Sequence, residues 1–431
     1  MLGASSLYHR RGDECVGRRG NALSRFARQK GWPGPLRHSL FRAMWATTVF
    51  SQLGGFIQIV ATSWTMAALS ASAAMVALVQ TAANLPVMLF AVAAGALADM
   101  FDRRHVMLAA QLLMLVLSLG LASCAFLDLL TPALLLGFTF LIGCGTALHA
   151  PAWQASVGEL VPRDQIPSAV ATNVFGNNIA RSIGPVVGGG IVAAAGASVA
   201  FMINACSYIG VIGVLARWKG FDAVSAPRPN FLCILRGGFG YAFAQARVRN
   251  LVLRTLAFGF GASAIWAFMP LVAIRLGGGA PLLGLLFACF GIGAMVGAIA
   301  SIPVRKRYGA GALVAVAVIV VAVSLVLLGS SRATSIAILA HLLAGAGWVT
   351  ALSMFNVSIQ LAIARSHVGR VLAIYQTTAF GGVALGSAAW GVMADYVGMP
   401  AALIAAGAFL AMSGLLGALF PLPAPTTEQA D

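Results

Sequence analysis

One charged residue of this chain lies deep within a long apolar stretch, and two amides share its spacing. Asn173, Asn177 and Arg181 recur every four residues, so on a helix they form one polar stripe. With a helix start near residue 166, Arg181 lies about 22 Å along the axis at 1.5 Å per residue. A charge at that depth in a membrane helix costs at least about 2.5–3.5 kcal/mol, so it should face a cavity or a partner. We predict that the stripe binds an anionic or acceptor-rich group; the alternative is a structural arginine bonded to neighbouring carbonyls.

Other polar and aromatic side chains within the apolar stretches are candidates to line the same substrate cavity. Taken singly, each is more often a packing or helix-bridging residue than a ligand. No carboxylate lies in the middle of a stretch, because Asp128, Glu159 and Asp395 are near the predicted ends, so a coupled proton has no evident carrier. The candidates are Gln58, Trp64, Asn84, His149, Trp266, Trp348 and Gln376.

The sequence contains no pattern that predicts catalysis, a metal site or a cofactor. It has no HExxH, no GxSxG with a plausible base, and no carboxylate pair. Its six cysteines form no CxxC pair and no Cys/His spacing that suits a metal. An intramembrane enzyme is therefore the weakest of the function classes that the residues allow.

The composition is that of a membrane protein. Hydrophobic residues make up 60% of the chain and charged residues 9%, against roughly 25% charged residues in a soluble domain. The apolar stretches are long and continuous, as spanning helices of about 20 residues require, whereas a barrel would show alternating strands of about ten residues. We predict twelve transmembrane helices near residues 43–67, 72–98, 105–127, 132–157, 166–195, 198–217, 248–274, 281–303, 309–329, 333–360, 367–394 and 398–420.

The 27 Lys and Arg residues fall almost entirely in alternate gaps between these stretches. Short loops rich in Lys and Arg stay cytoplasmic, so both termini are predicted to be cytoplasmic, with external loops near 68–71, 128–131 and 275–280. We expect a multi-pass protein of the cell inner (plasma) membrane, with the lipid bilayer as a partner. This topology accounts for the net charge of +16 and removes the reason to expect nucleic acid as a partner.

The two halves of the chain repeat at a fixed offset of 202 residues. Gly95 matches Gly297 (297 − 95 = 202), and Arg103 matches Arg305. Chance matching among 49 glycines does not explain why basic loop residues keep the same offset. An offset that spans six helices preserves direction, so the halves are parallel repeats about an axis along the membrane normal. That is the arrangement of the major facilitator fold, with substrate bound between the halves near the bilayer midplane.

The predicted fold class is therefore an all-α membrane protein of twelve helices. Two six-helix bundles, residues 41–217 and 248–420, are related by a pseudo-two-fold along the membrane normal. Residues 218–247 are the predicted cytoplasmic linker. Residues 1–40 are a basic cytoplasmic tail that we expect to be disordered, and residues 421–431 are a C-terminal tail.

The loop after the second helix reads G-A-L-A-D-M-F-D-R-R from Gly95 and resembles the signature motif of the major facilitator superfamily. Glycine permits close helix contact, and Asp99 is placed to meet the positive N-terminus of an adjacent helix. The resemblance implies that Gly95, Asp99, Arg103 and Arg104 form a cytoplasmic gate, with the acid latched to the start of the eleventh helix. Asp102 stands where the family usually has glycine, and aspartate tolerates a left-handed turn better than most residues. The alternative is a generic capped turn with positive-inside charge.

The fifth helix contains a second motif, which reads A-R-S-I-G-P-V-V-G-G from Ala180. It resembles the antiporter motif of the same superfamily, with Ala180 in place of the first glycine. Pro185 removes one backbone hydrogen bond, while Gly184, Gly188 and Gly189 permit a bend or a tight contact. The resemblance implies an exporter rather than an uptake carrier, and ordinary packing of small residues is the alternative.

Two longer stretches, residues 150–173 (APAWQA to AVATN) and 368–387 (VGRVLAIYQ to ALGS), resemble one branch of this superfamily. That branch contains the enterobactin exporters and macrolide-efflux proteins, the transmembrane secretion effector family. The resemblance covers residues 38–420 and implies a secondary active transporter that exports a small amphipathic molecule, a siderophore or a drug, in exchange for protons. Trp153 stands where the branch commonly has arginine, which removes a cation near the inner end of the fourth helix.

Two other hypotheses fit the same sequence. The same fold could run as a facilitator or an importer, and a transport-inactive sensor or assembly partner is the hypothesis from another class. Efflux from everted vesicles, measured with and without a pH gradient, separates them.

Overall fold

The described part of the chain is a bundle of long helices without strands. The computed structural model describes residues 34–218, 245–362 and 368–419, with a few positions, Asp99 among them, described by their backbone alone. The predicted tails and the predicted linker lie largely outside these ranges. The division into domains therefore stays a prediction.

The helices are numbered α1 to α12 in chain order. Two continuous helical runs each contain two of them, because Gly196 (φ 83°, ψ 170°) and Gly309 (φ 77°, ψ 168°) bend the chain. Residues other than glycine rarely adopt this conformation. The bounds are α1 Ser39–Leu69, α2 Ala73–Met100, α3 Arg103–Phe126, α4 Pro132–Leu160, α5 and α6 (166–195 and 197–217) within Ile166–Arg217, α7 Ala246–Arg275, α8 and α9 (279–308 and 310–330) within Gly279–Ser330, α10 Thr334–Ala362, α11 Val368–Val397 and α12 Met399–Leu419.

The predicted all-α fold of twelve helices is confirmed. The largest shift of a helix end is at α8, which ends at residue 308 against the predicted 303. Eight helical stretches of the described residues are long and apolar enough to cross a membrane. They cover α2 to α10, with α5 and α6 in one stretch.

Within each half, short connections make consecutive helices antiparallel, so the bundle has two faces. The face that holds the start of α1, the α2–α3 loop and the α4–α5 loop carries most of the described cations, and we call it the basic face. The opposite face holds the loops at 70–72, 127–131, 276–278 and 331–333. Arg275 and Arg332 are the cations that the sequence places at the opposite face.

Equivalent helices of the two halves make equivalent contacts. In the first half, α1 packs along α5 and α6, and α2 packs on α4. In the second half, α7 packs along α11 and α12, and α8 packs on α10. The halves meet along two helix pairs, α2 with α11 and α5 with α8.

Glycines that share the offset of 202 residues occupy equivalent contacts within the two halves. Gly184 of α5 packs on Phe56 of α1, and a Cβ at this glycine would lie 2.7 Å from the Phe56 Cβ. Its mate Gly386 of α11 packs on Phe260 of α7, where the nearest atom is the backbone O of Phe260. Phe260 lies two residues beyond the repeat mate of Phe56 (56 + 202 = 258), so the same helix pair packs closely in each half without the same residue pair.

A second pair of glycines makes the contacts between the halves. A Cβ at Gly189 of α5 would lie 2.6 Å from Ala280 O of α8. A Cβ at its mate Gly391 of α11 would lie 2.6 Å from the Ala77 Cβ of α2. Larger side chains do not fit at such distances, so the repeated glycines follow from close helix approach rather than from chance.

A small apolar core closes the first half near the basic face. Trp153 is 7% exposed and packs there with Phe41, Met107 and Val157. The tryptophan that replaces the family's usual arginine therefore adds an indole to this core.

Candidate substrate site between the two halves

The predicted polar stripe lies beside the surface by which α5 packs on α1. Gly176 of α5 contacts Trp45 of α1. Asn177 follows Gly176 by one residue, which is about 100° around the helix, and Asn173 and Arg181 lie one turn to either side. All three stripe residues are partly exposed. The stripe is therefore next to the helix contact without being buried in it.

Arg181 lies where α1, α5 and α8 come together. Its guanidinium carbon is 5.8 Å from the centroid of the Phe56 ring, within the range of a cation–π contact. A Cβ at Gly291 of α8 would lie 3.2 Å from Arg181 O. The ion pairs of the described residues do not include Arg181, and no cluster of His, Cys, Asp and Glu in the described ranges could hold a metal ion.

Arg181 is one of several partly exposed side chains with a buried polar atom that has no hydrogen-bond partner among the described residues. Buried polar atoms in native proteins nearly always have a hydrogen-bond partner, so an exception requires an explanation. In the middle of the helices, such atoms belong to Gln52 (Oε1) of α1, His149 (Nδ1) of α4, Arg181 (Nε) and Ser182 (Oγ) of α5 and Thr377 (Oγ1) of α11. The other unpartnered atoms belong to the buried Thr48, Gln111, His341 and Ser387 and to Thr65 near the end of α1.

Two glutamines of α1 point in different directions. Gln58, a predicted cavity residue, is 7% exposed, and its Oε1 accepts a hydrogen bond from Asn204 Nδ2 of α6. Gln52 precedes Gln58 by six residues, which places the two side chains about 120° apart around the helix. Gln52 lies one turn before Phe56. The amide on the Arg181 side of α1 is therefore Gln52, which the sequence reasoning missed. Gln58 belongs to a polar cluster inside the first half, so we do not carry it into the candidate site.

The predicted tryptophans contribute aromatic surface in the second half and between the halves. The ring centroids of Trp266 and Trp348 are 6.1 Å apart, and Phe290 lies 4.3 and 6.3 Å from them. Both tryptophans are partly exposed. Trp64 of α1 is the repeat mate of Trp266 (266 − 64 = 202) and packs against the apolar cores of both halves.

The remaining predicted cavity residues are separate from Arg181 in their contacts. Asn84 Nδ2 donates to Gln80 O of its own helix at 2.7 Å. Gln376 is partly exposed and directly precedes Thr377 on α11. His149 is partly exposed on α4, with its Nδ1 buried and unpartnered.

The antiporter-like motif lies where α5 packs closely on both α1 and α8. A Cβ at Gly188 would lie 3.0 Å from Ile57 Cα of α1, and one at Gly189 would lie 3.1 Å from Gly284 Cα of α8. Pro185 O faces the same glycine of α8. The motif therefore serves close packing in this structure, and the exporter role that the resemblance implies stays a prediction.

The signature loop is a capped turn that belongs to the first half. Asp102 has φ −56° and ψ 118°, and its Oδ1 accepts from Arg104 N at 2.8 Å, so it caps α3 and does not adopt the left-handed turn expected of a glycine position. Arg103 pairs with Glu159 of α4. Arg104 Nε donates to Leu215 O at the end of α6 at 2.9 Å. Both arginines thus tie helices of one half together.

The other two gate residues differ in what the structure says of them. A Cβ at Gly95 would meet no described atom within 4 Å, so no described side chain or helix packs closely on this glycine here, and its role in a gate stays a prediction. Its mate Gly297 does pack closely, on Ala346 of α10. The side chain of Asp99 lies outside the described residues, and the predicted latch to α11 stays a prediction.

The two bundles and their paired contacts define the class of protein. The structure of the nucleoside transporter NupG superposes with a TM-score of 0.72 at 10% identity, over 88% of this chain and 99% of that chain. A bacterial homologue of the human lysosomal transporter Spinster superposes with a TM-score of 0.69 at 15% identity, over 90% and 97% of the two chains. At these identities the likeness concerns the fold alone, which is that of the major facilitator transporters.

The sequence gives the family within this class. Residues 30–431 match the family described as transmembrane secretion effector, and the chain belongs to this family of multi-pass membrane transporters. The MFS-type transporter YfiS of Bacillus subtilis is 27% identical over 86% of this chain and 90% of its own length. Macrolide efflux protein A of Streptococcus pyogenes is 25% identical over 56% and 60% of the two chains. The staphyloferrin A transporter of Staphylococcus aureus is 29% identical over 37% and 41%.

Proposed function

We propose that this transporter exports a small amphipathic organic molecule, a siderophore or a drug, through a site where α1, α5 and α8 come together. Arg181 carries the proposal, because its guanidinium lies over Phe56 and its buried Nε has no hydrogen-bond partner among the described residues. A planar guanidinium binds carboxylates and similar acceptors through two parallel bonds. We assign the anionic or acceptor-rich end of the substrate to Arg181, with Gln52 and Asn177 beside it.

Aromatic surface suits the apolar part of such a substrate. Trp266, Trp348 and Phe290 form a cluster on three helices of the second half, and aromatic rings contribute large apolar contact areas. Arg181 belongs to the first half. A substrate that touches both regions would bridge the two halves, as alternating access requires.

The names of two relatives support this substrate class. One is a macrolide efflux protein and the other is a staphyloferrin A transporter. A macrolide and a siderophore are both small organic molecules, which agrees with a site that combines a cation, amides and aromatic rings.

We propose that the basic face is cytoplasmic and that the chain lies in the cell inner membrane with both termini inside. The asymmetry of the cations supports this orientation. Leu129 at the opposite face and Tyr308 at the basic face are 58% and 59% exposed, which makes them a matched pair for labelling. Leu129→Cys should react with an impermeant maleimide on whole cells, whereas Tyr308→Cys should react only after permeabilisation. The reverse pattern would invert the topology.

We propose protons as the coupling ion and His149 as their carrier. The described Asp and Glu residues lie at helix ends or in loops, so none is placed in the middle of a helix. His149 is partly exposed in the middle of α4, and its Nδ1 has no hydrogen-bond partner in the described part of the chain. Imidazole is the side chain that exchanges protons most readily near neutral pH. His149→Gln should retain substrate binding and lose the dependence of export on a pH gradient.

Everted membrane vesicles test the whole proposal with a radiolabelled macrolide and radiolabelled staphyloferrin A as probes. We expect at least one probe to accumulate when the vesicle interior is acidic, and to stop accumulating when an ionophore removes the gradient. Equilibration without accumulation would indicate a facilitator. Binding or transport of neither probe by correctly inserted protein would contradict the proposed substrate class and favour a sensor or assembly role.

A further inference from the structure

The contact between α2 and α11 ends in a carboxylate at the opposite face. Asp395 lies in the last turn of α11, and its Oδ2 accepts from Ser72 Oγ at 2.6 Å. Its Oδ1 accepts from Ala73 N at 2.6 Å and from Ala74 N at 3.3 Å. Ser72 is the N-cap of α2. A carboxylate of the second half therefore satisfies the first free N–H groups of a helix in the first half, where the helix dipole favours negative charge.

From Asp395 toward the basic face, α2 and α11 remain in contact in an antiparallel register. Thr81 Oγ1 donates to Ala384 O at 2.8 Å. Further toward the basic face, a Cβ at Gly381 would lie 3.1 Å from Met88 Sδ. Each step along α2 toward the basic face thus corresponds to a step back along α11 toward its first residue.

The same register places the predicted gate residue at the other end of the same helix pair. Asp99 is eleven residues beyond Met88 on α2 (99 − 88 = 11). The equivalent step on α11 runs eleven residues back from Gly381 to position 370 (381 − 11 = 370). Position 370 is two residues after α11 begins at Val368. Asp99 is therefore level with the N-terminus of α11. Each helix of the pair carries an aspartate near its C-terminal end, and each aspartate is level with the N-terminus of the partner helix.

We propose that Asp395 is the latch of the opposite face and that it alternates with Asp99 during transport. The inference rests on the proposed function in one respect, since it assumes that the halves rock against each other. Asp395 with Ser72 and the N–H groups of Ala73 and Ala74 is hereafter the Asp395 latch. Its closure holds the opposite face shut, and its release is required before substrate leaves on that side. Asp395 acts on the position of the halves and has no contact with substrate.

The reciprocal placement of the two aspartates determines which conformation each substitution should favour. Loss of the Asp395 latch favours conformations that are open at the opposite face. Loss of Asp99 favours conformations that are open at the basic face and so closes the opposite face further. A helix cap with a purely structural role would change stability and leave the ratio of the two conformations alone.

Spin labels at Leu129→Cys and Arg332→Cys measure this ratio directly. Both residues are exposed in loops of the opposite face, one in each half, and neither contacts the Asp395 latch. Pulsed electron resonance on protein without substrate, with its native cysteines replaced, gives the fractions with short and long distances between the labels. We expect Asp395→Asn to raise the long-distance fraction relative to the short one roughly fivefold, because a charged cap becomes neutral.

Three controls decide the result. Asp128→Asn changes another exposed carboxylate of the same face and should leave the distances unchanged. Asp99→Asn should lower the long-distance fraction. Ser72→Ala, which removes one of the three donors to Asp395, should give a smaller shift of the same sign as Asp395→Asn, and it serves if Asp395→Asn does not fold.

An unchanged ratio in both Asp395→Asn and Ser72→Ala overturns the latch, as does a shift of the same sign from Asp99→Asn. Because the distances are measured without substrate or gradient, this outcome is independent of the vesicle experiment. Export could be confirmed while the latch fails, and the reverse is equally possible.

Discussion

α5 and α11 occupy equivalent places in the two halves, yet they carry different chemistry. Gly184 and Gly386 each pack closely on the first helix of their own half. Arg181 of α5 corresponds to Val383 of α11 (383 − 181 = 202), and that valine is 6% exposed. The backbone contacts are thus repeated, while the charge in the middle of α5 is present once.

The aspartate of this helix pair shows the same asymmetry at a different depth. Asp395 of α11 corresponds to Ala193 of α5 (395 − 193 = 202). The glycines are duplicated because both halves must pack on their neighbours in the same way. A binding site at the centre needs only one cation, and a latch on one face needs only one acid. Symmetry in this molecule therefore belongs to the packing, and the asymmetric residues are those with a proposed task.

The largest effect should follow from filling a glycine contact between the halves. Gly189→Leu places a side chain against the backbone of α8, where a Cβ alone would lie 2.6 Å from Ala280 O. Overpacking typically costs about 1–3 kcal/mol and more where backbone must move, so we expect a large drop in melting temperature and loss of transport. Gly190→Leu is the matched control, because a Cβ at Gly190 meets no described atom within 4 Å. Equal melting temperatures would show that the contact between the halves tolerates separation.

Substitutions of Arg181 should change substrate affinity without lowering the stability of the protein. Arg181→Met removes the charge and its desolvation cost, so we expect a protein at least as stable as the wild type, with substrate affinity reduced roughly tenfold or more through loss of a charged hydrogen bond. Arg181→Lys retains the charge without the planar fork, and a bidentate contact predicts a large defect there too. Ile183→Met, at a residue that is 50% exposed on the same helix, is the control. Unaltered binding in Arg181→Met would make this arginine structural.

The two glutamines of α1 should give opposite phenotypes. Gln58→Leu removes an acceptor shared by Asn204 Nδ2 and Ser118 Oγ inside the first half, and we expect a stability loss of about 1–3 kcal/mol with little effect on affinity. Gln52→Leu removes an amide whose oxygen accepts no hydrogen bond from the residues that the structure describes, so stability should hold while affinity falls several-fold. Thermal melting and equilibrium binding on the same preparations measure both. Equal losses of affinity would return Gln58 to the cavity.

The smallest effect is expected at the signature loop. Asp102→Ala removes the cap of α3 and should cost about 1 kcal/mol, whereas His105→Ala, which removes only the exposed imidazole 3.2 Å from Asp102 Oδ2, should be nearly neutral. In the second half, Gly309 bends the chain near the equivalent place without such a cap. A melting temperature unchanged by Asp102→Ala would indicate that the loop is held by Arg103 and Arg104 alone.

The helices and the repeat were predictable because apolar length and a constant offset are properties of the sequence itself. The direction in which a side chain points was harder to predict from the sequence. α1 is apolar on most sides, so the sequence does not distinguish the side of Gln52 from the side of Gln58. Gly95 shows a related limit, since a glycine permits a close neighbour and does not specify one. Asp102 followed the general rule for helix caps where the family comparison suggested a turn.

The contact between Gly189 of α5 and Gly284 of α8 has a consequence for how such transporters diversify. No side chain takes part in it, so substitutions at Asn173, Asn177 and Arg181 leave it unchanged. Mutation can therefore alter which molecule is carried while the movement of the halves is inherited intact. Lineages that share this glycine pair should differ in cargo far more than in mechanism.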